Sequence, residues 1–199
     1  MTNQIPVFFE KDEFLINQKV NFLKFECEYK IFDLEGVQVG IVRQKMSVSK
    51  KILTLFIGKA MLPFFMEIID MEGKTLASIS RPWAWWIAKV SVRDGDGNLI
   101  GHIKHVWKFL KPTFKIFDSQ WQDIGEISGD WKAWNFKISA TDGSNIGNIT
   151  KKWAGVMKEV FTSADNYRVS INPEYAEDTN KIVLVSAAIT IDMVLKESK

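Results

Sequence analysis

Few residues in this chain have the type and spacing to do chemistry. His102 and His105 are the only histidines. On a strand, a spacing of three sends their rings to opposite faces, so they do not make a metal-binding pair and are expected as surface or edge residues. Asp94-Gly-Asp-Gly-Asn98 has the opening of a calcium loop, but the twelfth position is His105, where such a loop needs a bidentate Glu. The segment is expected to be a tight turn. No Gly-x-Ser-x-Gly elbow, phosphate-cradling glycine loop or Cys–His arrangement occurs. The chain is therefore expected to be no enzyme and to need no cofactor.

Two other groups of residues point to surfaces. Arg81-Pro82-Trp83-Ala84-Trp85-Trp86 places Trp83 and Trp85 on one face of an extended segment and Trp86 on the other. Such indoles belong in a core, at a barrel rim or at a membrane interface. Lysines gather as Lys50, Lys51 and Lys59, as Lys104, Lys108 and Lys111, and as Lys151, Lys152 and Lys158. Near an anionic membrane each contributes roughly 1 kcal/mol; otherwise they are ordinary solvated faces. The formal net charge of +2 excludes the strong basic excess of a nucleic-acid-binding protein. The lone Cys27 can form no intramolecular disulfide, which suits a reducing compartment. The N-terminal residues lack a basic segment followed by an apolar run, so the expected location is cytoplasmic, with peripheral membrane contact at most.

The elements that must position these residues form a repeat. Tyr29-Lys-Ile-Phe-Asp33-Leu-Glu-Gly36 is followed by Met66-Glu-Ile-Ile-Asp70-Met-Glu-Gly73 and Val90-Ser-Val-Arg-Asp94-Gly-Asp-Gly97. Phe114-Lys-Ile-Phe-Asp118-Ser-Gln-Trp121 and Phe136-Lys-Ile-Ser-Ala140-Thr-Asp-Gly143 complete five units. Each reads as strand, turn, strand. Asp accepts backbone N–H bonds at the turn, and Gly three residues later supplies positive φ. Trp121 and Ala140 depart from this chemistry, so the last two turns are expected to differ. Before each turn the apolar pairs, such as Tyr29/Ile31 and Phe114/Ile116, alternate with polar residues, which gives one buried and one wet face. After each turn a small residue recurs at Gly40, Ala77, Gly101, Gly125 and Gly147, with a β-branched residue two positions later. The small residues either leave room for something inside the sheet, such as a helix, or mark bulges.

Strands over 14–20 and 167–171 bring the total to about twelve, enough to close an antiparallel barrel. Residues 46–62 lengthen the first interval and read as a short amphipathic helix or an extra strand. Residues 181–196 are apolar almost all round, and the uncharged run Ile182–Ile191 is far shorter than the roughly twenty residues needed to span a bilayer. They read as a buried core helix, with a membrane anchor as the alternative. The whole is expected to be one mainly β domain over 1–199, with a core from about 12 to 196.

Lys152-Trp153-Ala-Gly-Val-Met-Lys-Glu-Val-Phe161-Thr162-Ser163-Ala164-Asp165-Asn166-Tyr167 resembles the Trp-x-Gly…Phe-Thr-Asp-Ala-Asp-Asn-Phe segment of phospholipid scramblases. Ala187-Ala-Ile-Thr-Ile-Asp192 resembles their C-terminal helix, and the hairpin series is similar to theirs and to the LURP-one-related proteins. The resemblance runs from about residue 25 to the end. It implies a tubby-like barrel around a buried C-terminal helix, and association with membrane phospholipids or phosphoinositides. The alternatives are translocation of lipid between leaflets, calcium-stimulated in eukaryotic members, and a protein-interaction scaffold with no lipid role. In the family's proposed calcium loop, Ser163 here replaces the first Asp and Arg168 replaces a Gly. Asp165, Asn166 and Glu174 remain as oxygen donors, and calcium binding is disfavoured. The family's clustered, palmitoylated cysteines are absent.

Overall fold

The computed structural model describes residues 7–21, 26–44, 63–83, 89–108, 111–130, 132–151, 165–175 and 178–197. A short 3-10 turn, Val7–Glu10, precedes twelve strands. These are β1 (Glu13–Asn21), β2 (Glu26–Phe32), β3 (Gln38–Gln44), β4 (Phe64–Ile69), β5 (Thr75–Arg81) and β6 (Lys89–Asp94), followed by β7 (Leu99–Lys108), β8 (Lys111–Asp118), β9 (Asp123–Asp130), β10 (Asn135–Ala140), β11 (Asn145–Thr150) and β12 (Asp165–Ile171). One helix, α1 (Asp178–Glu197), follows. Each strand pairs antiparallel with its sequence neighbour, and β12 closes on β1 to give a barrel. Closure leaves no row of unpaired backbone groups at an edge. The expected twelve strands are present without residues 45–62, which lie outside the described residues.

Turn chemistry sets the repeat. In the first hairpin Asp33 N–H donates to Val37 O at 3.0 Å and Gly36 N–H to Asp33 O at 3.1 Å. The same two bonds recur at 70/74, 94/98, 118/122 and 140/144, so all five turns share one backbone, including the two expected to differ. In four of them the turn Asp carboxylate also accepts backbone N–H groups. In the fifth, Asp142 Oδ1 accepts Ser144 N–H instead, two residues further on. The register shifts by one residue beside each turn, as a G1-type bulge requires.

The faces follow the alternation. Tyr29, Ile31, Met66, Ile68, Val90, Val92, Phe114, Ile116, Phe136 and Ile138 are all buried, as are the β-branched residues that follow each turn. Burying one such side chain stabilises the fold by roughly 1.5–3 kcal/mol. A helix apolar all round must be enclosed on every side, and α1 is buried from Asn180 to Met193 inside the barrel. It packs on β6, β7, β8, β12 and the 3-10 turn. Its first turn is the polar run Asp178-Thr179-Asn180, so the helix begins three residues before the apolar stretch that marks it in the sequence. Asp192, fully buried, accepts Tyr29 Oη–H at 3.1 Å, and Tyr29 Oη accepts Gln18 Nε2–H at 3.1 Å. At the other end of the helix Lys181 Nζ pairs with Asp12 at 2.9 Å.

The small residues have two different uses. A Cβ on Gly101 would stand 2.7 Å from the Phe117 carbonyl on β8 and 2.8 Å from Val183 of α1, so here the missing side chain makes room for the neighbouring strand and for the helix together. At Gly40 the neighbour is the Phe8 ring, at 3.0 Å. At Gly125 and Gly147 a Cβ would strike the backbone carbonyls of Ser139 and Ser170 on neighbouring strands. The small residue of every hairpin stands beside the register shift, as the bulge reading expects, and at Gly101 it makes room for the helix as well.

Candidate functional site

The outer face of β6–β8 collects cationic and aromatic side chains that lie far apart in sequence. Alternation turns Lys89, Ser91 and Arg93 outward on β6, His102 and Lys104 on β7, and Lys115 and Phe117 on β8. The register then places Lys89 opposite Lys104, and Lys104 opposite Lys115. Like charges directly opposite in antiparallel strands repel, with Cβ atoms about 5 Å apart. Lys115 is relieved by Asp123, 2.5 Å from its ammonium. The hydrogen bond that Lys115 donates to Asp123 is the main reason that its pKa is raised, against partial desolvation. Lys89 carries its ammonium 5.4 Å from the Trp121 ring centroid, a cation–π distance. Lys104, half-buried in the middle of the row, has no ion pair among the described residues.

Trp121 sits at one end of this face. It occupies the turn position that glycine takes in the other four hairpins, and it adopts the same left-handed conformation, φ 64°. For a residue with a Cβ that costs roughly 1–2 kcal/mol. The ring stacks on His102 with centroids 3.9 Å apart and planes 13° from parallel, and it touches Phe117. It remains 44% exposed, while His102 beneath it is 7% exposed. Ser91 Oγ lies 3.4 Å from His102 Nδ1, and His102 Nε2 has no hydrogen-bond partner among the described residues. Burial first, then the positive charges of Arg93 and Lys89, hold the His102 pKa below its usual value against the pull of Asp118. His105 points the other way, stacks on Phe114 at 4.6 Å, and is also pushed down by burial. The two rings thus lie on opposite faces, but His102 is a buried residue under a tryptophan rather than a surface one.

The other residues singled out in the sequence are scattered. The Asp94 carboxylate is occupied by N–H groups of Asp96 and Asn98 and by the Asn98 amide, as a turn residue. Asp165 and Asn166 lie on β12, and Asn166 accepts a hydrogen bond from Asn17 at 2.5 Å. Glu174 lies in the turn beyond the far end of that strand, which is about 20 Å long at about 3.3 Å per residue. Among the described residues no three His, Cys, Asp or Glu side chains gather to hold a metal. Trp83 is exposed beyond the end of β5, next to the buried Arg81, whose guanidinium covers Phe64. Lys151 Nζ lies 4.6 Å from the ring centroid of Trp134, the other tryptophan with positive φ. Lys108 and Lys111 are register partners at the end of the β7–β8 pair. Lys50, Lys51, Lys59, Lys152, Lys158, Trp85 and Trp86 lie outside the described residues. Sequence reasoning did not find the grouping of Lys89, Lys115, His102 and Trp121. Its one visible signal was Trp121 at the glycine position of a repeat.

The chain is thus a closed twelve-strand barrel of hairpins threaded by an apolar helix, with a cationic and aromatic outer face on β6–β8. The family model described as Scramblase matches residues 1–198, and the chain belongs to that family. Human phospholipid scramblase 1 is 27% identical over 150 residues, covering 68% of this chain and 47% of that protein. "Altered inheritance rate of mitochondria protein 25" of Saccharomyces cerevisiae is 22% identical over 200 residues, covering 86% of this chain and 61% of that protein. The chain therefore spans about half the length of the curated scramblases it matches. An X-ray structure of a protein from Arabidopsis thaliana superposes with a TM-score of 0.51 at 13% identity, over 90% of each chain, which shows the shared fold.

Proposed function

We propose that this barrel is a non-enzymatic domain that associates with anionic phospholipid membranes through the outer face of β6–β8. The observation that carries the reading is the row Lys89–Lys104–Lys115, held in register against its own repulsion, with Lys104 unpaired among the described residues. A phosphate group between Lys89 and Lys104 would relieve that repulsion. At roughly 1 kcal/mol per lysine near an anionic surface, the row and the nearby Arg93 supply a reversible, salt-sensitive attachment. The half-exposed indole of Trp121 suits the headgroup layer, where aromatic rings with a polar edge reside. Membership of the scramblase family supports a phospholipid as the ligand.

Binding fits the structure better than translocation. Among the described residues no helix is long and apolar enough to cross a membrane. The apolar surface of α1 is already used by the barrel, and withdrawing it would also strip Asp192 of its bond to Tyr29. The reading includes no bound calcium, because Asp165, Asn166 and Glu174 are strung along β12 and past its end. Co-sedimentation with phosphatidylcholine vesicles, with and without phosphatidylserine, tests the proposal. Binding should require the anionic lipid, weaken as salt rises, and be the same in calcium and in chelator. Absence of binding at low salt would sink it.

A further inference from the structure

The five hairpin turns form a controlled comparison within one molecule. All have the same backbone bonds, so whatever one turn carries and another lacks is not required to make the turn. At the residue after the turn-opening position, the third, fourth and fifth turns have Gly95, Ser119 and Thr141, while the first two have Leu34 and Met71. At the fifth position the others have Lys74, Asn98, Gln122 and Ser144, and the first has Val37. These three apolar side chains are 51%, 52% and 59% exposed for Leu34, Met71 and Val37. Val7, on the 3-10 turn beside them, is 73% exposed. They are four of the six large hydrophobic residues exposed among the described residues, brought to one corner of the barrel.

The corner is also concave. A groove of about 680 Å³ runs between the 3-10 turn and the second hairpin, floored by Phe8, Val39 and Leu76 and walled by Val7 and Met71. Gln38 Nε2 donates to Met71 Sδ at 3.5 Å and ties the two turns together. Concentrated exposed apolar surface of this kind marks a contact site, and methionine adapts to a partner's shape. The rim chooses the partner. Asp33 is paired with Lys11, and the Asp70 carboxylate is held by the N–H groups of Glu72 and Lys74. Glu35 and Glu72 are exposed with no ion pair among the described residues, and so is Lys74, which also lines the groove; across the corner the carboxylates of Glu10, Asp33, Glu35, Asp70 and Glu72 outnumber the ammonium groups of Lys11 and Lys74 by five to two. An apolar groove with surplus carboxylates repels an anionic bilayer and matches a helix with apolar anchors on one face and lysine or arginine beside them.

We infer that the first two hairpin turns and the Val7–Glu10 turn form a docking groove for a cationic amphipathic helix of a partner protein. This surface is separate from β6–β8 and does not depend on the lipid reading. The test uses the full chain and a labelled helical peptide of leucine and lysine, followed by fluorescence anisotropy. Peptides with glutamate in place of lysine, and with the same residues scrambled, serve as controls. The Leu/Lys helix should bind about tenfold or more tightly than either control. Leu34→Asp with Met71→Asp should weaken it about tenfold or more, because Met71 walls the groove and Leu34 is the matching exposed apolar residue of the first turn. Thr141→Asp, the same change on the fifth turn, should alter it less than about twofold. Thermal melting checks that both variants are folded. Equal binding of all three peptides, or equal loss from Thr141→Asp, would overturn the inference. So would a peptide-free dimer that Leu34→Asp with Met71→Asp dissociates, which would make the occupant a second copy. Loss of phosphatidylserine-vesicle binding in that variant, with the peptide still bound, would make the face a membrane contact and equally overturn it.

Discussion

The outer face of β6–β8 and the corner made by the first two turns are built on the same hairpin and carry opposite chemistry. One presents Lys89, Lys104 and Lys115 with a tryptophan raised at its edge. The other presents Leu34, Val37 and Met71 with Glu35 and Glu72 around them. Their inward faces are nearly interchangeable: large apolar pairs before the turn, a small residue and a β-branched one after it. The barrel dictates the interior because α1 must be enclosed on all sides. It leaves the exterior open, and there the repeats have diverged.

Breaking one surface should leave the other intact. The largest effect is expected from Lys89→Glu with Lys104→Glu. Two attractions become two repulsions, roughly 4 kcal/mol in affinity for phosphatidylserine vesicles, or several hundredfold. Co-sedimentation reads this, while binding of the Leu/Lys peptide at the turns stays within about twofold. An interior change should not respect the division. Gly101→Leu drives a side chain into Val183 and should cost about 3 kcal/mol, seen as a lower melting temperature, with both surfaces weakened together.

Trp121→Gly sharpens the contrast in a different way. Removing the left-handed strain returns roughly 1–2 kcal/mol, while the stack on His102 and the cation–π contact with Lys89 are lost. Stability by denaturant titration should move by less than about 1 kcal/mol, because the two effects oppose each other. Vesicle binding should fall a few-fold, by about the weight of one interfacial aromatic. A large loss of stability would show that the ring serves the core rather than the surface.

The smallest effect separates the two regions by pH. His102 and His105 have folded-state pKa values below 6.5, so the unfolded chain takes up protons first. Their contribution is complete above pH 6.5 and is lost as pH falls through that value toward the folded pKa. Asp33 is desolvated, which raises its pKa, but the N–H of Val37 and the ammonium of Lys11 together outweigh this and lower it below 3.8. Its contribution is complete above pH 3.8 and is lost as pH drops further. Thermal melts against pH should therefore fall first near the histidines of β7 and only later at the first turn. His102→Gln should flatten the earlier decline and leave the later one.

Much of this fold was legible because its signals are local. Period-two alternation identified the buried pairs from Tyr29/Ile31 to Phe136/Ile138, and Asp followed by Gly identified the turns. The fourth turn was misjudged because Trp121 has a poor intrinsic preference for positive φ. Contacts with His102 and Phe117, from two other positions in the chain, hold it there. The glycines were ambiguous for a similar reason: each lies close to a neighbouring element, and that Gly101 also faces a helix depends on what packs inside the barrel. The lysine row was not legible at all. Lys89, Lys104 and Lys115 belong to three strands, and only the pairing register makes them neighbours.

The sequence by itself determined five hairpins, their inward faces and an apolar helix that needed enclosing, because each rests on side chains a few residues apart. The tertiary structure alone decided that β12 closes on β1, that Asp192 meets Tyr29, and that a cationic face and an acid-rimmed apolar groove occupy separate sectors of one barrel. Those outcomes rest on strand register and helix placement, which bring together groups from distant parts of the chain and are set by the packing of the whole.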